Sequence, residues 1–353
     1  MAKRGLRSRS RRSGLVRLGV LVAAIVIVVI VIANLGGGST SGTGSPISTT
    51  SEGRPAAPPP PPKRLVARLA PRQLPAAVSG EAAVQRGGAV LAIGGLDSGL
   101  VSTTDVTEIA SGGRRIASAG SLAAPLHDAA AASVAGRTLV FGGGAATTID
   151  TVQELAPGGT ARAIGHLPTA QSDLSAVTIG PRAYVLGGYD GTSTVGSVLV
   201  TADGRRFAEI ARLPTPVRYT AVAALGRTIY AFGGELADGA DSNAIQSVDV
   251  RSHRARVIGH LPVPLAHASA VVLRGRVFVL GGRAAGAPSD RILAFDPGPA
   301  RTAPAGRLPA PVTNAAAASA GGAGYLIGGL GASGTALDSI VTLRPAGALR
   351  SPR

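Results

Sequence analysis

The chain repeats one spacing six times. A Leu, followed by Pro in five of the six cases, comes 20 residues before a Gly-Gly pair that ends an apolar run. The step between repeats varies from 45 to 48 residues, and all of that variation falls between a Gly-Gly pair and the next Leu. A period in this range indicates a solenoid, a propeller or an array. The repeat glycines are Gly94, Gly95, Gly142, Gly143, Gly187, Gly188, Gly233, Gly234, Gly281, Gly282, Gly328 and Gly329.

Each repeat predicts four short β-strands. In the fourth repeat, a small-residue run (220–225) and an apolar run (230–232) flank a Gly-containing turn, which is typical of a hairpin. A variable loop follows the Gly-Gly pair, then a third strand, a turn and a fourth strand that ends at the next Leu-Pro. The runs are apolar throughout rather than alternating, so both faces of each sheet should be covered. Six such units predict an all-β, six-bladed β-propeller.

The sixth repeat contains residues for only three strands, because the chain ends soon after its third. Residues 65–73 precede the first Leu-Pro and suit a fourth strand that has no blade of its own. We therefore expect the N-terminal strand to close the last blade, which removes the free edges of an open sheet.

The repeat resembles the kelch motif, in which Gly-Gly follows a strand of the Ile-Tyr-Val type and a Leu-Pro-x-Pro-Arg segment lies nearby. Residues 228–234 (TIYAFGG), the pair Phe295-Asp296 and residues 213–218 (LPTPVR) carry the resemblance, which covers about 64–345. The tryptophan of that motif is absent, and Phe207, Ala, Thr or Arg stands in its place. The resemblance implies a kelch-type propeller over 64–345.

The N-terminal part predicts a membrane anchor. A basic segment (1–17) precedes an uncharged apolar run (18–35) that is long enough to span a bilayer. The cations place the N-terminus in the cytoplasm and the propeller outside it. A Gly/Ser/Pro-rich linker (36–63) follows, and residues 346–353 form a polar tail. The alternative interpretation is a cleaved signal peptide, which would need a shorter apolar run and a small-residue cleavage site.

Composition excludes several kinds of site. The chain has no Cys, so it has no thiol nucleophile and no disulfide framework. The net charge is +16, but beyond the N-terminal cluster the arginines are scattered and few aromatics accompany them, which argues against a nucleic-acid partner. Asp238, Asp241 and Asn243 offer oxygen ligands for Ca²⁺ in one long loop, but without an EF-hand pattern, so we predict no metal and no cofactor.

Candidate site residues lie on one face of the predicted propeller. Strand alternation places the second-to-third and fourth-to-first loops together, on the face opposite the one where the chain enters the propeller at the start of a fourth strand. One mostly polar position recurs there, at the start of each first strand. Two interpretations stay open for it: hydrogen bonding to loop backbone, or a ring that binds a ligand. The candidate ligand-binding residues are Asp128, Asp173, Arg218, Tyr219, His267, Asn314 and Glu235.

Three functions are compatible with this pattern. The first is a membrane-anchored module that binds a protein or a glycan. The second follows from the resemblance, because kelch propellers include N-acetylneuraminate epimerases with an acid–base pair at the channel; Glu235 and Arg218 would be the catalytic candidates. The third is a structural envelope protein. We predict a binding module, with the sugar epimerase as the alternative.

Overall fold

The computed structural model describes residues 63–347, and each regular element in that range is a β-strand. No helix in this part of the chain is long and apolar enough to cross a membrane. The predicted span (18–35), nearly all of the predicted linker and residues 348–353 lie outside the described residues.

The strands form six antiparallel sheets, which are the six predicted blades. Blade one comprises β2 (Ala82–Arg86), β3 (Ala89–Ile93), β4 (Thr103–Ala110) and β5 (Arg115–Leu126). Blade two comprises β6 (Ala130–Val134), β7 (Arg137–Phe141), β8 (Thr151–Leu155) and β9 (Arg162–His166). Blade three comprises β10 (Ser175–Ile179), β11 (Arg182–Leu186), β12 (Ser197–Thr201) and β13 (Ala208–Arg212).

The second half of the chain repeats the pattern. Blade four comprises β14 (Ala221–Leu225), β15 (Thr228–Phe232), β16 (Ala244–Asp249) and β17 (Arg254–His260). Blade five comprises β18 (Ser269–Leu273), β19 (Arg276–Leu280), β21 (Ala287–Asp296) and β22 (Arg301–Val312), with a two-residue β20 (Arg283–Ala284) paired to the start of β21. Blade six comprises β23 (Ala316–Ala320), β24 (Ala323–Ile327), β25 (Ile340–Pro345) and β1 (Leu65–Leu69).

The N-terminal strand closes blade six, as the sequence predicts. β1 pairs antiparallel with β25 in a register that runs from Leu65 opposite Pro345 to Leu69 opposite Val341. Leu65 is buried in the core shared by blades five and six. Three third strands begin at Thr103, Ala244 and Ala287, earlier than the branched residues Val106, Val248 and Ile292 at which the sequence predicts them, because the loop after Gly-Gly already pairs there.

The Gly-Gly pairs hold the connections between neighbouring blades. In blade four, the N–H of Gly234 donates to the carbonyl of Leu265, which lies in the segment between β17 and β18, at 2.8 Å. A Cβ on Gly233 would overlap that same carbonyl oxygen. Both glycines have positive φ, 62° and 107°, a region that L side chains disfavour. The second glycine of every pair donates in this way to the residue four positions after the next repeat leucine, where the chain leaves a fourth strand and leads into the next first strand; for the last pair that residue is Val78, before β2. The repeat glycines therefore fix the segments that connect successive blades.

We expect Gly233→Ala to destabilise the propeller far more than Gly226→Ala. Both glycines belong to blade four and have φ of 62°, but a Cβ at Gly226 would meet no atom within 4 Å. Gly226→Ala should therefore cost only the left-handed strain, about 1–2 kcal/mol. Gly233→Ala must also displace the Leu265 carbonyl, so its cost should reach about 3 kcal/mol or more. Urea unfolding of both variants measures the difference, and equal costs would contradict this role for the repeat glycines.

Candidate functional site

A central channel runs between the first strands of the six blades. Its cavity of about 170 Å³ is lined mainly by alanine, together with the carboxyl groups of Glu81, Asp128 and Asp173. Among the described residues, no Lys or Arg lines this channel, although the whole chain has a net charge of +16. The lining is therefore acidic within a basic protein.

Six residues form a closed ring at one end of the channel, which we call the mouth. Each has a positive φ between 49° and 64°. The N–H of each donates to the carbonyl of the equivalent residue in the preceding blade, at 2.7–3.1 Å, and the N–H of the blade-one residue donates to the blade-six residue. Asp, Asn and His accept this conformation more readily than other non-glycine residues, which suits the composition of the ring. The ring residues are Gly80, Asp128, Asp173, Tyr219, His267 and Asn314.

A second contact places charged side chains around the mouth. In every blade, the residue before the ring position forms an antiparallel bridge with the residue that follows Gly-Gly. In blade four this bridge brings Arg218 against Glu235, and the guanidinium donates from Nε to Oε1 at 2.9 Å. In blade five the same position holds Arg283, which donates to Glu235 Oε2 at 2.6 Å and to Asp241 Oδ1 at 2.5 Å. Arg218 also lies 3.4 Å from Asp173. Two arginines thus hold one buried glutamate.

Tyr219 and His267 extend this network into the channel. Their rings stack with centroids 3.9 Å apart. The Tyr219 hydroxyl donates to Asp128 Oδ2 at 3.2 Å, and His267 Nε2 lies 3.4 Å from Glu235 Oε2. His267 Nδ1 is buried and has no hydrogen-bond partner among the described residues. Hydrogen bonds, ion pairs and one aromatic stack therefore connect Asp128 to Asp241.

The network sets the charge of two groups near Glu235. Burial raises the pKa of Glu235, but the hydrogen bonds from Arg218 and Arg283 outweigh it and hold that pKa below its ordinary value. Burial, and then the charge of Arg283, lower the pKa of His267. At neutral pH, Glu235 is accordingly ionised and His267 is neutral.

The channel carboxyl groups shift in the opposite direction. Burial and the neighbouring Asp173 raise the pKa of Asp128 to about 7. Burial likewise raises the pKa of Asp173, although Arg218 opposes the change. Burial raises the pKa of Tyr219, so its hydroxyl remains a donor. Asp128 is therefore the group of the mouth whose protonation changes near neutral pH.

The structure brings together six of the seven predicted ligand-binding residues, namely Asp128, Asp173, Arg218, Tyr219, Glu235 and His267. Asn314 belongs to the ring, but among the described residues its side chain forms a hydrogen bond only with Thr313. Asp241 pairs with Arg283 instead of facing a cation, and Asp238 bonds the N–H of Ala240. Within residues 63–347 no group of His, Asp or Glu is arranged to hold a metal ion.

Sequence reasoning missed two residues of the mouth. The first is Arg283, which forms the second ion pair with Glu235. The second is Tyr189, whose ring centre lies 5.0 Å from the guanidinium carbon of Arg218. Both residues stand directly after a Gly-Gly pair, as Glu235 does. Aligning the repeats at that position would have found them.

Comparison with known proteins adds evidence on the fold. No family model matches the chain, and no curated protein matches it. The solved structure described as "Structure of YjhT" superimposes with a TM-score of 0.69 and 14% sequence identity, covering 79% of this chain and 98% of that one. This likeness shows the propeller fold alone. The kelch family itself stays a resemblance of sequence motifs.

Glu81 is the third carboxyl group of the channel lining, and it is buried. It is 7% exposed, its Oε1 accepts the N–H of Ala316 at 3.2 Å, and its Oε2 has no partner among the described residues. Burial raises its pKa from 4.5 to about 8. Between pH 4.5 and about 8, the native state therefore keeps a proton that the unfolded chain has lost. The contribution of this group to the free energy of unfolding is complete below pH 4.5 and is lost as the pH rises to about 8.

We expect Glu81→Gln to flatten the pH dependence of stability. Glutamine keeps the acceptor for Ala316 but cannot ionise, so the free energy of unfolding should fall less between pH 5 and pH 8 than in the wild type. Urea unfolding at the two pH values measures the change for each protein. The pH 5 measurement is the internal control, because Glu81 is then largely protonated in the native state. The same loss of stability in both proteins would show that Glu81 ionises freely.

Proposed function

We propose that this protein is a binding module that recognises the end of a neutral glycan at the channel mouth. The observation that carries the proposal is the convergence of fixed polar groups on a concave opening. The Tyr219 hydroxyl, the Asp128 and Asp173 carboxyl groups and two arginines converge there, and each is held by the hydrogen bonds described above. Orientation by a few fixed polar groups is what a small-ligand site needs.

The charge of the site favours a neutral ligand. Arg218 and Arg283 are matched by Glu235 and Asp241, so they have little charge left to attract an anion. The channel lining itself has three carboxyl groups and, within the described residues, no cation. Glu81 is protonated at neutral pH, so a ligand carboxylate placed there would be repelled by the ionised forms of Asp128 and Asp173. Hydroxyl groups can donate to the carboxylates and accept from the arginines, which fits a sugar without a carboxylate.

The size of the channel favours recognition of a chain end. A cavity of about 170 Å³ is smaller than the roughly 300–1,000 Å³ of pockets that enclose a whole small ligand. Only part of a ligand would enter the channel, and the remainder would contact the rim around Arg218 and Tyr189. A terminal sugar of a longer glycan satisfies both conditions.

The alternative function is a sugar epimerase at the same mouth, and one observation favours it. Asp128 has a pKa of about 7, near the value at which a group both gives and takes a proton at neutral pH. Glu235 suits this role less, because two arginines keep it ionised. The acidic lining opposes an N-acetylneuraminate substrate, whose carboxylate is negative. We therefore prefer the binding module.

The proposed location is the outer side of the membrane, with a single N-terminal span. The support comes from the sequence: seven cations precede the apolar run 18–35, and the linker follows it. Because the chain enters β1 at the end of the propeller opposite the mouth, such an anchor would leave the mouth facing away from the bilayer.

We expect the double variant Asp128→Asn/Tyr219→Phe to lose glycan binding while keeping its stability. The two changes remove an ionisable group and a hydroxyl but preserve shape, and a lost polar contact costs about 1–3 kcal/mol, or roughly tenfold or more in affinity. Binding of residues 64–353 to an array of neutral and acidic glycans provides the measurement, followed by titration of the best ligand.

The control is Arg254→Gln, because Arg254 begins β17 at the opposite end of the propeller from the mouth. It should bind like the wild type. Loss of binding in both variants, or in neither, would contradict the proposed site. Selective capture of acidic glycans would contradict the charge argument. Turnover of a bound sugar that Asp128→Asn abolishes would favour the epimerase.

We expect the anchor to keep the propeller outside the cytoplasm. Protease added to intact cells should digest the propeller and spare an N-terminal tag, because the cations before residue 18 hold that end inside. Protection of the propeller would reverse the proposed topology. A released fragment that starts near residue 36 would instead indicate a cleaved signal peptide.

A further inference from the structure

A second pocket lies at the seam between blades six and one, away from the channel. It has a volume of about 320 Å³ and is lined by residues of β1, β25 and the turn between β4 and β5. That turn connects a third to a fourth strand, so the pocket lies toward the end of the propeller opposite the mouth. Three of its lining residues are Arg68, Arg114 and Arg344.

The sheet register brings two of the arginines together. Arg68 of β1 lies opposite Thr342, and Arg344 lies two residues further along β25, opposite Val66. Residues two apart on a strand share a face, so Arg68 and Arg344 are diagonal neighbours on one face of blade six. Diagonal neighbours in a sheet lie about 7–8 Å apart, within reach of one ligand for side chains of this length.

Blade one supplies the third arginine from a fixed turn. The N–H of Gly112 donates to the Tyr325 hydroxyl of blade six at 3.1 Å. A Cβ on Gly112 would lie 3.4 Å from Nη2 of Arg344, so the guanidinium of Arg344 reaches over this turn. Arg114, two residues later, is therefore held beside the two arginines of blade six. Ser111 of the same turn and Thr342 add hydroxyl groups to the lining.

The pocket has no protein counter-charge. Within residues 63–347, none of its three arginines forms an ion pair, and no carboxyl group lines the pocket. Two arginines at comparable turns are neutralised instead: the adjacent Arg115 pairs with Glu108 at 2.5 Å, and Arg137 pairs with Glu154 at 2.6 Å. Three guanidinium groups around one cavity match the geometry and charge of a tetrahedral oxyanion, which accepts two parallel bonds from each arginine.

We propose that this seam pocket binds a phosphate group. The ligand chemistry is a phosphate oxyanion, whether free or in the headgroup of an anionic phospholipid. Leu69 borders the pocket and is 62% exposed, which offers an apolar contact that a phospholipid would use and a free phosphate would not. The site is separate from the channel mouth and does not depend on the function proposed there.

The test measures the thermal stability of the full chain in neutral detergent, because a ligand that binds the folded state raises its melting temperature. Three probes are titrated at constant ionic strength: inorganic phosphate, dihexanoyl-phosphatidylglycerol below its micellar concentration, and dihexanoyl-phosphatidylcholine as the zwitterionic control. We expect one or both anionic probes to raise the melting temperature above the effect of chloride or of the zwitterionic lipid. A rise in melting temperature with phosphate identifies the ligand as the free ion, and a rise with phosphatidylglycerol alone identifies it as the lipid headgroup. Both results support a phosphate site.

The variant is Arg68→Gln/Arg344→Gln, and its matched control is Arg254→Gln/Arg256→Gln. The control pair likewise shares one face of a blade, here two residues apart on the single strand β17, and it lines a pocket, but that pocket contains Asp249. The first pair should weaken the response of the anionic probe by about tenfold or more, while the control pair should leave it unchanged. Melting temperatures without a probe show that both variants fold. No response of the wild type to either anionic probe, or equal losses in the two double variants, would overturn the proposal.

Discussion

The hydrogen bond from each second repeat glycine to the segment that leads into the next blade is the contact on which the propeller depends. It fixes the connection between successive blades at six places, and the last of these, from Gly329 to Val78, holds the segment that leads from β1 into blade one against blade six. The first glycine leaves the space that the accepting carbonyl occupies. Because the contact uses only backbone atoms, the remaining residues of each blade are free to differ, provided that the core between blades stays filled.

The mouth is a consequence of the same closure. Once the six sheets are fixed around an axis, the residues that begin the first strands meet in a backbone ring, and the residues before them lie against those that follow Gly-Gly. Arg218, Glu235 and Arg283 reach one another through this geometry, although they lie up to 65 positions apart in the chain. Their contacts then fix the protonation of Glu235 and His267, so fold closure and the chemistry of the mouth are linked.

Spacing in the sequence was sufficient to predict the number of blades and their closure by residues 65–73. The constant distance from Leu to Gly-Gly spans the first two strands of a blade and the turn between them. The lengths of these strands cannot vary, because both strands are packed between neighbouring blades. The starts of β4, β16 and β21 were harder to predict, because pairing there involves loop residues with no strand-like composition. Pairing of Arg218 with Glu235 could be anticipated because both lie at the mouth end of the same repeat. The role of Arg283 could not be read from one blade, because its partners come from the adjacent one.

The backbone ring at the mouth separates structural from chemical requirements. Its six hydrogen bonds come from N–H and carbonyl groups, so no side chain at these positions is needed to hold the ring. The positive φ still imposes one condition, since residues branched at Cβ are poorly accommodated there. The side chains at the six ring positions, from Gly80 to Asn314, can therefore change during evolution without changing the fold, provided that the new residues are not branched at Cβ. A laboratory library of variants confined to these positions would change the ligand specificity of the mouth under the same restriction.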